Sequence, residues 1–433
     1  MTSQNERSPT LVPQDIEKDN STSLDHSKSA EHVFPEGGRD AWLTVLGSWF
    51  LVFGTFGTSN TFGVFQSYYL LEKYPGRGSS DIAWVGSLQL FLLFMMGGIS
   101  GPLFDKGHFY PLVATGGAVH VFFMISLCKR FWQTFLAQGV LEGMGMGLIF
   151  VPALGVVSQY FKMRRGLASG IVVTGSSAGG VVLPIMLNKL IAQHNFERGV
   201  QYTGILLAGC VVVGLALIRP FGGVRGHKQS DGPEPDVKAF FKEPGYLALF
   251  VGIFFVAWGV FFPILFLQYF AELNGTSENL TFYMVAILNG ASVIGRTLPN
   301  LIADKFGALN LITIMSILTS GICFAFFGAA KSTAGLVVVA IFYGAFSGAF
   351  ISLMAPAVFS MAKSQQEVGT RMGISMMALG VAALTGSPLG AAILDARGYG
   401  ASIAWSGAMG AVGSGLFALA AFFTARNKGQ WKV

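Results

Sequence analysis

Residues 43–70 read LTVLGSWFLVFGTFGTSNTFGVFQSYYL, and this long run contains no charged side chain. Because an α-helix rises about 1.5 Å per residue, roughly 20 apolar residues cross the hydrocarbon layer of a bilayer, about 30 Å thick. The run is too long for the apolar core of a signal peptide. It therefore predicts a helix that spans a membrane.

Similar runs recur along the chain, six before and six after a polar break between Arg219 and Pro244. The predicted helices lie near 43–70, 82–103, 109–127, 131–157, 167–191, 200–218, 245–270, 280–303, 308–328, 334–358, 371–394 and 401–424. The fold class predicted from this pattern is an all-α integral membrane protein with twelve transmembrane helices.

The polar segments predict how the helices are grouped. We expect an N-terminal half at 35–218 and a C-terminal half at 245–425, joined by a cytoplasmic linker at 219–244 that is rich in Gly, Pro and basic residues. Residues 1–34 are polar and predict a disordered cytoplasmic tail. Residues 426–433 predict a second, short tail on the same side.

Composition excludes several classes of protein. Apolar residues make up 52% of the 433 residues and charged residues 12%, against about 25% charged in soluble domains. A soluble enzyme, a nucleic-acid-binding domain and a disordered protein are excluded, and the lipid bilayer is the expected surrounding. The scattered histidines and the three cysteines in apolar runs form no metal-binding or catalytic motif, and no nucleotide-binding loop is present. We expect no enzyme activity, metal or cofactor.

The distribution of basic residues predicts the orientation. With both termini in the cytoplasm, the cytoplasmic segments collect more than twice as many Lys and Arg as the opposite side. Two N-glycosylation sequons, which begin at Asn274 and Asn279, fall in a loop that this orientation places outside. The sequence therefore predicts glycosylation at these two residues.

The two halves carry features in the same register, as in many transporters. Pro152 and Pro356 lie 204 residues apart, and so do Pro184 and Pro388. Asp105-Lys106-Gly107 after the second helix is echoed by Asp304-Lys305-Phe306-Gly307 after the eighth, and Arg164-Arg165-Gly166 before the fifth by Thr370-Arg371-Met372-Gly373 before the eleventh. The pattern indicates a secondary transporter with two similar halves.

Two motifs carry a resemblance to a known family. One is Pro35-Glu36-Gly37-Gly38-Arg39-Asp40-Ala41-Trp42 before the first helix, and the other is Tyr160-Phe161-Lys162-Met163-Arg164-Arg165-Gly166-Leu167-Ala168-Ser169-Gly170 before the fifth. From residue 35 to about 425 the chain resembles the major facilitator superfamily, and within it the fungal members of the monocarboxylate porter family. The resemblance implies alternating access, with the solute bound between the halves.

The chain also departs from that family. Animal lactate carriers have a lysine in helix 1 and an aspartate one turn before the arginine of helix 8. The matching positions here hold Asn60 and Ser292, so the resemblance does not extend to proton-coupled lactate transport.

Arg296 and Glu142 are the charged residues that lie deep in predicted helices. Arg296 lies eight residues before Asp304, or about 12 Å from the cytoplasmic end of its helix. Because a charge at that depth is costly, Arg296 should face the interior, either as a clamp for a carboxylate or enolate, as a structural ion pair or as a gate residue. Glu142 either loads and releases a proton, neutralises Arg296, or hydrogen-bonds while protonated.

Further candidates are polar side chains of the predicted cavity helices and charged residues at the cytoplasmic helix ends. Asn60, Asn289 and Tyr343 are candidate solute-binding residues, although polar groups in membranes often only bridge helices. Asp105, Arg165, Asp304 and Arg371 are candidate gating residues, which would latch the halves together in the outward-facing state. Their alternative role is to determine topology.

The preferred function is efflux of a small organic solute, either acidic or resembling a secondary metabolite. The alternatives are a proton-coupled importer of a monocarboxylate or vitamin and a nutrient sensor that does not transport. Partners are the solute and protons, with no nucleic acid, and a monomer is expected. The plasma membrane is the preferred location, and a vacuolar or vesicular membrane is the alternative.

Overall fold

A computed structural model describes residues 35–120, 123–161, 164–221, 236–329, 332–363 and 365–433. Every regular element in these ranges is helical. Twelve long helical segments follow one another there: α1 Arg39–Lys73, α2 Ser79–Phe104, α3 Phe109–Ser126, α4 Phe131–Val157, α5 Arg165–Gln193, α6 Phe196–Leu217, α7 Pro244–Leu273, α8 Glu278–Phe306, α9 Ala308–Ala329, α10 Thr333–Ser360, α11 Gln365–Arg397 and α12 Tyr399–Lys428. A short helix, Val237–Phe240, precedes α7.

Eleven of these segments are long and apolar enough to cross a membrane by length and composition. The remaining long segment is α8, which has 29 residues. It carries Asn289, Arg296 and other polar groups that lower its hydropathy. Because a polar side chain in a bilayer is stable only against protein or a water-filled cavity, α8 should lie in the interior of the bundle. It packs mainly against α10 and α5, and it also contacts α7 and α9.

Two of the long helices begin at polar caps that lie outside the apolar runs. The Asn195 side chain accepts a hydrogen bond of 2.8 Å from the backbone N–H of Arg198, so α6 begins at Phe196. Ser332 caps α10 in the same way, through a 3.1 Å bond from the backbone N–H of Gly335. Such bonds satisfy N–H groups that have no partner within the helix.

Two helices depart from α-helical geometry. The outer end of α1 winds into a π-helical turn over Tyr69–Lys73, and α4 contains a longer one over Phe135–Glu142. We call helix ends inner or outer according to the predicted orientation, with Arg39 at the inner end of α1. Since π-turns are frequent at functional sites, the position of Glu142 as the last residue of the second turn is notable.

Each half fastens its first helix to its fifth by an equivalent pair. The indole N–H of Trp49 on α1 donates to the Thr174 hydroxyl on α5 over 3.1 Å. The indole N–H of Trp258 on α7 donates to the Thr385 hydroxyl on α11 over 3.0 Å. The contacts between the halves are equivalent too, because the second helix of each half packs along the fifth helix of the other. These pairs are α2 with α11 and α8 with α5.

The contacts join residues 34–433 into one unit. The boundaries of the two halves and of the linker therefore stay a prediction. The N-terminal tail and most of the linker lie outside the described residues.

Candidate functional site

Close contact of α1, α5 and α8 brings polar side chains to one place. A Cβ on Gly57 of α1 would lie 2.7 Å from the Cα of Gly179 on α5, so this crossing requires glycine. A Cβ on Gly180 of α5 would lie 2.6 Å from the Asn289 side chain of α8. Small residues let membrane helices approach this closely. The crossing positions α8 against the face of α5 that carries Ser176.

Arg296 lies in this crossing with 5% of its surface exposed. Its Nε donates to the Ser292 hydroxyl of the same helix over 3.0 Å, and its Nη1 donates to the Ser176 hydroxyl of α5. The guanidinium carbon lies 5.7 Å from the centre of the Phe56 ring on α1. Among the described residues, no carboxylate forms an ion pair with Arg296. It is therefore a buried cation held by neutral hydroxyls.

Asn60 and Asn289 border the same crossing. The Asn60 amide donates to the backbone carbonyl of Ser176 over 3.3 Å. The Asn289 amide donates to the Val285 carbonyl over 3.0 Å and lies against Gly180. We call Asn60, Ser176, Asn289, Ser292 and Arg296 the Arg296 cluster. Three of the four predicted solute-binding residues lie in or beside this crossing, on helices from both halves.

Tyr343 lies elsewhere, within the C-terminal half. Its hydroxyl donates to the Val260 carbonyl of α7 over 2.9 Å, and its side chain is fully buried. Its ring packs edge-on against Phe326 of α9, with centroids 5.8 Å apart. These contacts connect α7, α9 and α10.

Glu142 pairs with a histidine rather than with Arg296. Its Oε1 lies 2.9 Å from Nδ1 of His120 on α3, and both side chains are buried. Nε2 of His120 lies 3.2 Å from the Gly54 carbonyl of α1. Because a carbonyl only accepts, Nε2 carries a proton, and the contact between Nδ1 and Oε1 then requires one further, shared proton. His120 lies inside an apolar run of the sequence, but its pairing with Glu142 follows only from the packing of α3, α4 and α1.

Arg371 is fully buried at the inner end of α11, within its own half. Its guanidinium lies 2.9 Å from Glu243 before α7 and 3.0 Å from Glu367 on α11. It also packs over the rings of Phe240 and Tyr246, 4.2 and 4.8 Å from their centres. In this conformation Arg371 thus fastens α7 to α11. The other predicted gating side chains, those of Asp105, Arg165 and Asp304, lie outside the described part of the structure.

Glu243 is held ionised by its surroundings. Partial burial opposes its ionisation, but hydrogen bonds from Arg371 and Lys363, together with their charges, outweigh burial and lower the pKa of Glu243. Lys363 Nζ lies 2.5 Å from Oε1 of Glu243, and Arg371 contacts the other carboxylate oxygen, Oε2. Two cations and two carboxylates at this inner surface therefore form one network.

The two motifs that carry the family resemblance meet in space. The Glu36 carboxylate accepts a 3.2 Å hydrogen bond from the Arg164 backbone N–H, and the Glu36 N–H donates to the Tyr160 carbonyl over 3.0 Å. The Trp42 and Phe161 rings pack edge-on, with centroids 5.5 Å apart. Lys162 and Met163 lie outside the described residues. An acidic residue before the first helix thus contacts the start of the fifth, as Glu243 does in the second half.

Hydrogen bonds between the halves concentrate at the outer ends. Ser67 of α1 donates to the Glu272 carboxylate of α7 over 2.8 Å. The Ser80 backbone N–H of α2 donates to the Asp395 carboxylate of α11 over 3.3 Å. Asn188 of α5 donates to the Phe282 carbonyl of α8 over 3.3 Å. The Ser80 hydroxyl also donates to the Pro388 carbonyl of α11 over 3.0 Å. We call these four bonds the outer contacts; within the described ranges, the hydrogen bonds that join the halves lie here or at the Arg296 cluster.

The sequons occupy the tight connection between α7 and α8. Asn274 follows the end of α7, and its amide donates to the Phe270 carbonyl over 2.8 Å. Asn279 is exposed in the first turn of α8. Both side chains lie at the outer surface as defined above, and their modification stays a prediction.

Comparison with known proteins adds a family and relatives. A family model described as Major Facilitator Superfamily matches residues 48–301 and 247–432. The chain is 38% identical over 369 residues to the aspyridones efflux protein of Emericella nidulans, a match that covers 84% of this chain and 74% of that protein. It is 35% identical over 421 residues to the fujikurins efflux protein of Gibberella fujikuroi, covering 94% and 89%.

Solved structures with similar folds are transporters. A peptide transporter in complex with alafosfalin superposes with a TM-score of 0.70 at 14% identity, over 91% of this chain and 96% of that one. The nucleoside transporter NupG gives 0.64 at 17% identity, over 88% and 99%. At such identities the likeness concerns the fold alone.

Proposed function

Because this chain belongs to the Major Facilitator Superfamily, and is thus a multi-pass membrane transporter and not an enzyme, we propose that it exports a small acidic organic solute by alternating access. The names of two relatives, efflux proteins for aspyridones and for fujikurins, support the direction. The acidic character of the solute is inferred from Arg296.

The observation that carries this proposal is a buried guanidinium without a carboxylate partner among the described residues. Removing such a charge from water costs several kcal/mol unless an opposite charge and hydrogen bonds compensate. Ser176 and Ser292 supply hydroxyls but no charge. A solute with a carboxylate or enolate would supply the missing charge, and guanidinium binds a carboxylate through two parallel hydrogen bonds. Asn60 and Asn289 are placed to hydrogen-bond the same solute.

Proton coupling is proposed for Glu142 together with His120. The pair shares one proton, and Nε2 of His120 contacts the Gly54 carbonyl on α1, the helix that also carries Asn60. A change in the shared proton would therefore alter a contact of α1. Since α1 carries both Gly54 and Asn60, it connects the His120–Glu142 pair to the Arg296 cluster. This connection supports coupling between the proton and the solute.

The remaining assignments rest on the sequence motifs. We place the chain in the fungal branch of the monocarboxylate porter family, supported by the two motifs that meet at Glu36 and Arg164. Gating is proposed for Asp105, Arg165, Asp304 and Arg371, whose charges would meet across the halves in the outward-facing state. We propose a glycosylated monomer in the plasma membrane.

Flux into proteoliposomes in which the cytoplasmic side of the carrier faces outward tests the proposal. Purified carrier in proteoliposomes is given aspyridones, fujikurins, 2-naphthoate and its uncharged isostere 2-naphthamide, with and without an imposed pH gradient. We expect uptake of acidic compounds from the side that corresponds to the cytoplasm, driven by the gradient, and none of 2-naphthamide.

Other outcomes separate the alternatives. Flux that is faster in the opposite direction would indicate an importer. Binding without flux would indicate a sensor. Equal flux of 2-naphthoate and 2-naphthamide would contradict the acidic solute.

A further inference from the structure

Ser176 holds the guanidinium at the point where an anion would bind. We propose that Ser176 occupies, in the ligand-free carrier, the position of the solute's acidic oxygen on Arg296, so that the arriving anion binds by displacing Ser176. This inference rests on the proposed transport of an acidic solute, and it adds a residue that sets both affinity and the movement of the halves.

The geometry gives Ser176 this position. Its hydroxyl accepts from Nη1 of Arg296, whereas Ser292, four residues before Arg296 on α8, accepts from Nε. Ser176 is 1% exposed and Arg296 is 5% exposed. The Asn60 amide on α1 donates a hydrogen bond to the backbone carbonyl of Ser176. The serine is therefore fixed to the N-terminal half, while the cation belongs to the C-terminal half.

The chemistry favours exchange of the serine for an anion. A guanidinium has five N–H donors, and Ser176 and Ser292 take two of them among the described contacts. A carboxylate accepts two parallel hydrogen bonds from the planar fork, and such charge-assisted bonds are roughly twice as strong as bonds between neutral groups. A hydroxyl cannot neutralise the buried charge, so an anion that reaches Arg296 binds more strongly than Ser176 does.

Displacement of Ser176 also releases one half from the other. Its bond to Arg296 is the innermost hydrogen bond between α5 and α8 among the described residues. Farther outward, Gly180 lies against Asn289 and Asn188 donates to the Phe282 carbonyl. A ligand shifts a conformational equilibrium only through its different affinity for the two states. Since the anion competes with this bond, it favours the state in which α5 and α8 have separated.

Three alanine substitutions test the inference by equilibrium binding of 2-naphthoate to the full-length carrier in lipid nanodiscs. Ser176→Ala removes the competitor, so the Kd for 2-naphthoate should fall roughly three- to tenfold. Ser292→Ala removes the bond that orients the guanidinium, so the Kd should rise. Ser177→Ala is the matched control, because this adjacent serine is equally buried and its hydroxyl makes no hydrogen bond in the described structure. Its Kd should stay within about twofold of the wild type.

Transport supplies a readout that a purely structural role of Ser176 would not change. In net efflux the carrier returns empty, and the bond between Ser176 and Arg296 must re-form during that return. In exchange the carrier returns with solute bound, so the bond is not needed. Ser176→Ala should therefore slow net efflux several-fold and leave exchange of 2-naphthoate for 2-naphthoate at the wild-type rate. A structural defect would slow both.

The outcomes distinguish this inference from the proposed function. If the wild type binds neither 2-naphthoate nor the other acids, the proposed function fails. If it binds and exports 2-naphthoate, but Ser176→Ala and Ser177→Ala have equal Kd values and equal ratios of efflux to exchange, the displacement of Ser176 is overturned.

Discussion

At the scale of single residues, we propose that Arg296 selects acidic solutes. It is buried between two hydroxyls and an aromatic ring, with no carboxylate partner among the residues that the structure describes. The sequence indicated its depth, because a lone arginine in an apolar run must face the interior. It could not show that Ser176 is the partner, since serines are frequent in these helices and most of them bond to their own backbone.

Substitutions of Arg296 should separate charge from geometry. Arg296→Gln removes the charge, and we expect loss of 2-naphthoate export with no gain of 2-naphthamide export. Arg296→Lys keeps the charge but not the planar fork, so the KM for 2-naphthoate should rise on the order of tenfold. Arg198→Gln is the control, because Arg198 is exposed at the outer end of α6. Full activity of Arg296→Gln would exclude Arg296 as the solute's partner.

The pair of His120 and Glu142 makes a second prediction at this scale. Glu142→Gln and His120→Gln should each abolish the effect of a pH gradient on export, and the double variant should behave like either single one, because both groups hold the same proton. Glu197→Gln, which changes an exposed carboxylate, should leave the effect intact. If export by Glu142→Gln keeps its pH dependence, the pair serves structure alone.

At the scale of elements, hydropathy locates the helices but not their ends or their turns. The eighth was expected near 280–303 and spans Glu278–Phe306, and the eleventh was expected near 371–394 and spans Gln365–Arg397. Both continue past their apolar cores because polar residues outside the hydrocarbon layer still form helix. The π-turn over Phe135–Glu142 could not be predicted, since apolar side chains do not reveal a change of hydrogen-bond register.

The network at the inner ends of α7 and α11 predicts a dependence of stability on pH. A carboxylate whose pKa is lower in the folded protein stabilises it at neutral pH, and this contribution is lost as the pH falls through the folded-state pKa. Glu243→Gln should therefore lower the melting temperature at pH 7, and the difference from the wild type should shrink below about pH 4. The measurement is thermal unfolding in detergent at several pH values.

Glu278→Gln is the control for that experiment, because Glu278 is exposed in the first turn of α8 and has no ion pair in the described ranges. Its difference from the wild type should change little with pH. A difference for Glu243→Gln that stays constant as the pH falls from 7 to well below 4 would show that Glu243 does not act through its charge.

At the scale of the whole molecule, the repeat in the sequence predicted equivalent helices but not which surfaces meet. Asn60 and Asn289 border the crossing that holds Arg296 because α1, α5 and α8 approach one another at glycines, whereas Tyr343 packs inside its own half. The sequence did not predict that the serines of the outer contacts join the halves, because a single hydroxyl at a helix end is common. Packing of the halves alone reveals them.

The outer contacts predict how access to the carrier changes with solute. In the conformation described here, Ser67, Ser80 and Asn188 hold the outer ends of the halves together. An impermeant thiol reagent added outside should label Ser80→Cys slowly, and 2-naphthoate supplied inside should accelerate the labelling. In the double variant that carries both Ser80→Cys and Arg296→Gln, 2-naphthoate should no longer accelerate the labelling. Arg77→Cys, exposed beside α2, should be labelled at one rate throughout.

Insensitivity of Ser80→Cys to 2-naphthoate in an otherwise active carrier would mean that these outer ends do not separate during transport. The wild-type background is suitable for the measurement, because Cys128, Cys210 and Cys323 are all buried.

The duplicated Trp–Thr pairs have a consequence for how the polypeptide can be assembled. Trp49 with Thr174 and Trp258 with Thr385 tie the first helix of each half to its fifth without any residue from the other half. The covalent connection between the halves is therefore not what gives either of them its internal order. A carrier expressed as two separate polypeptides, residues 1–228 and 229–433, should reassemble in the membrane and export 2-naphthoate.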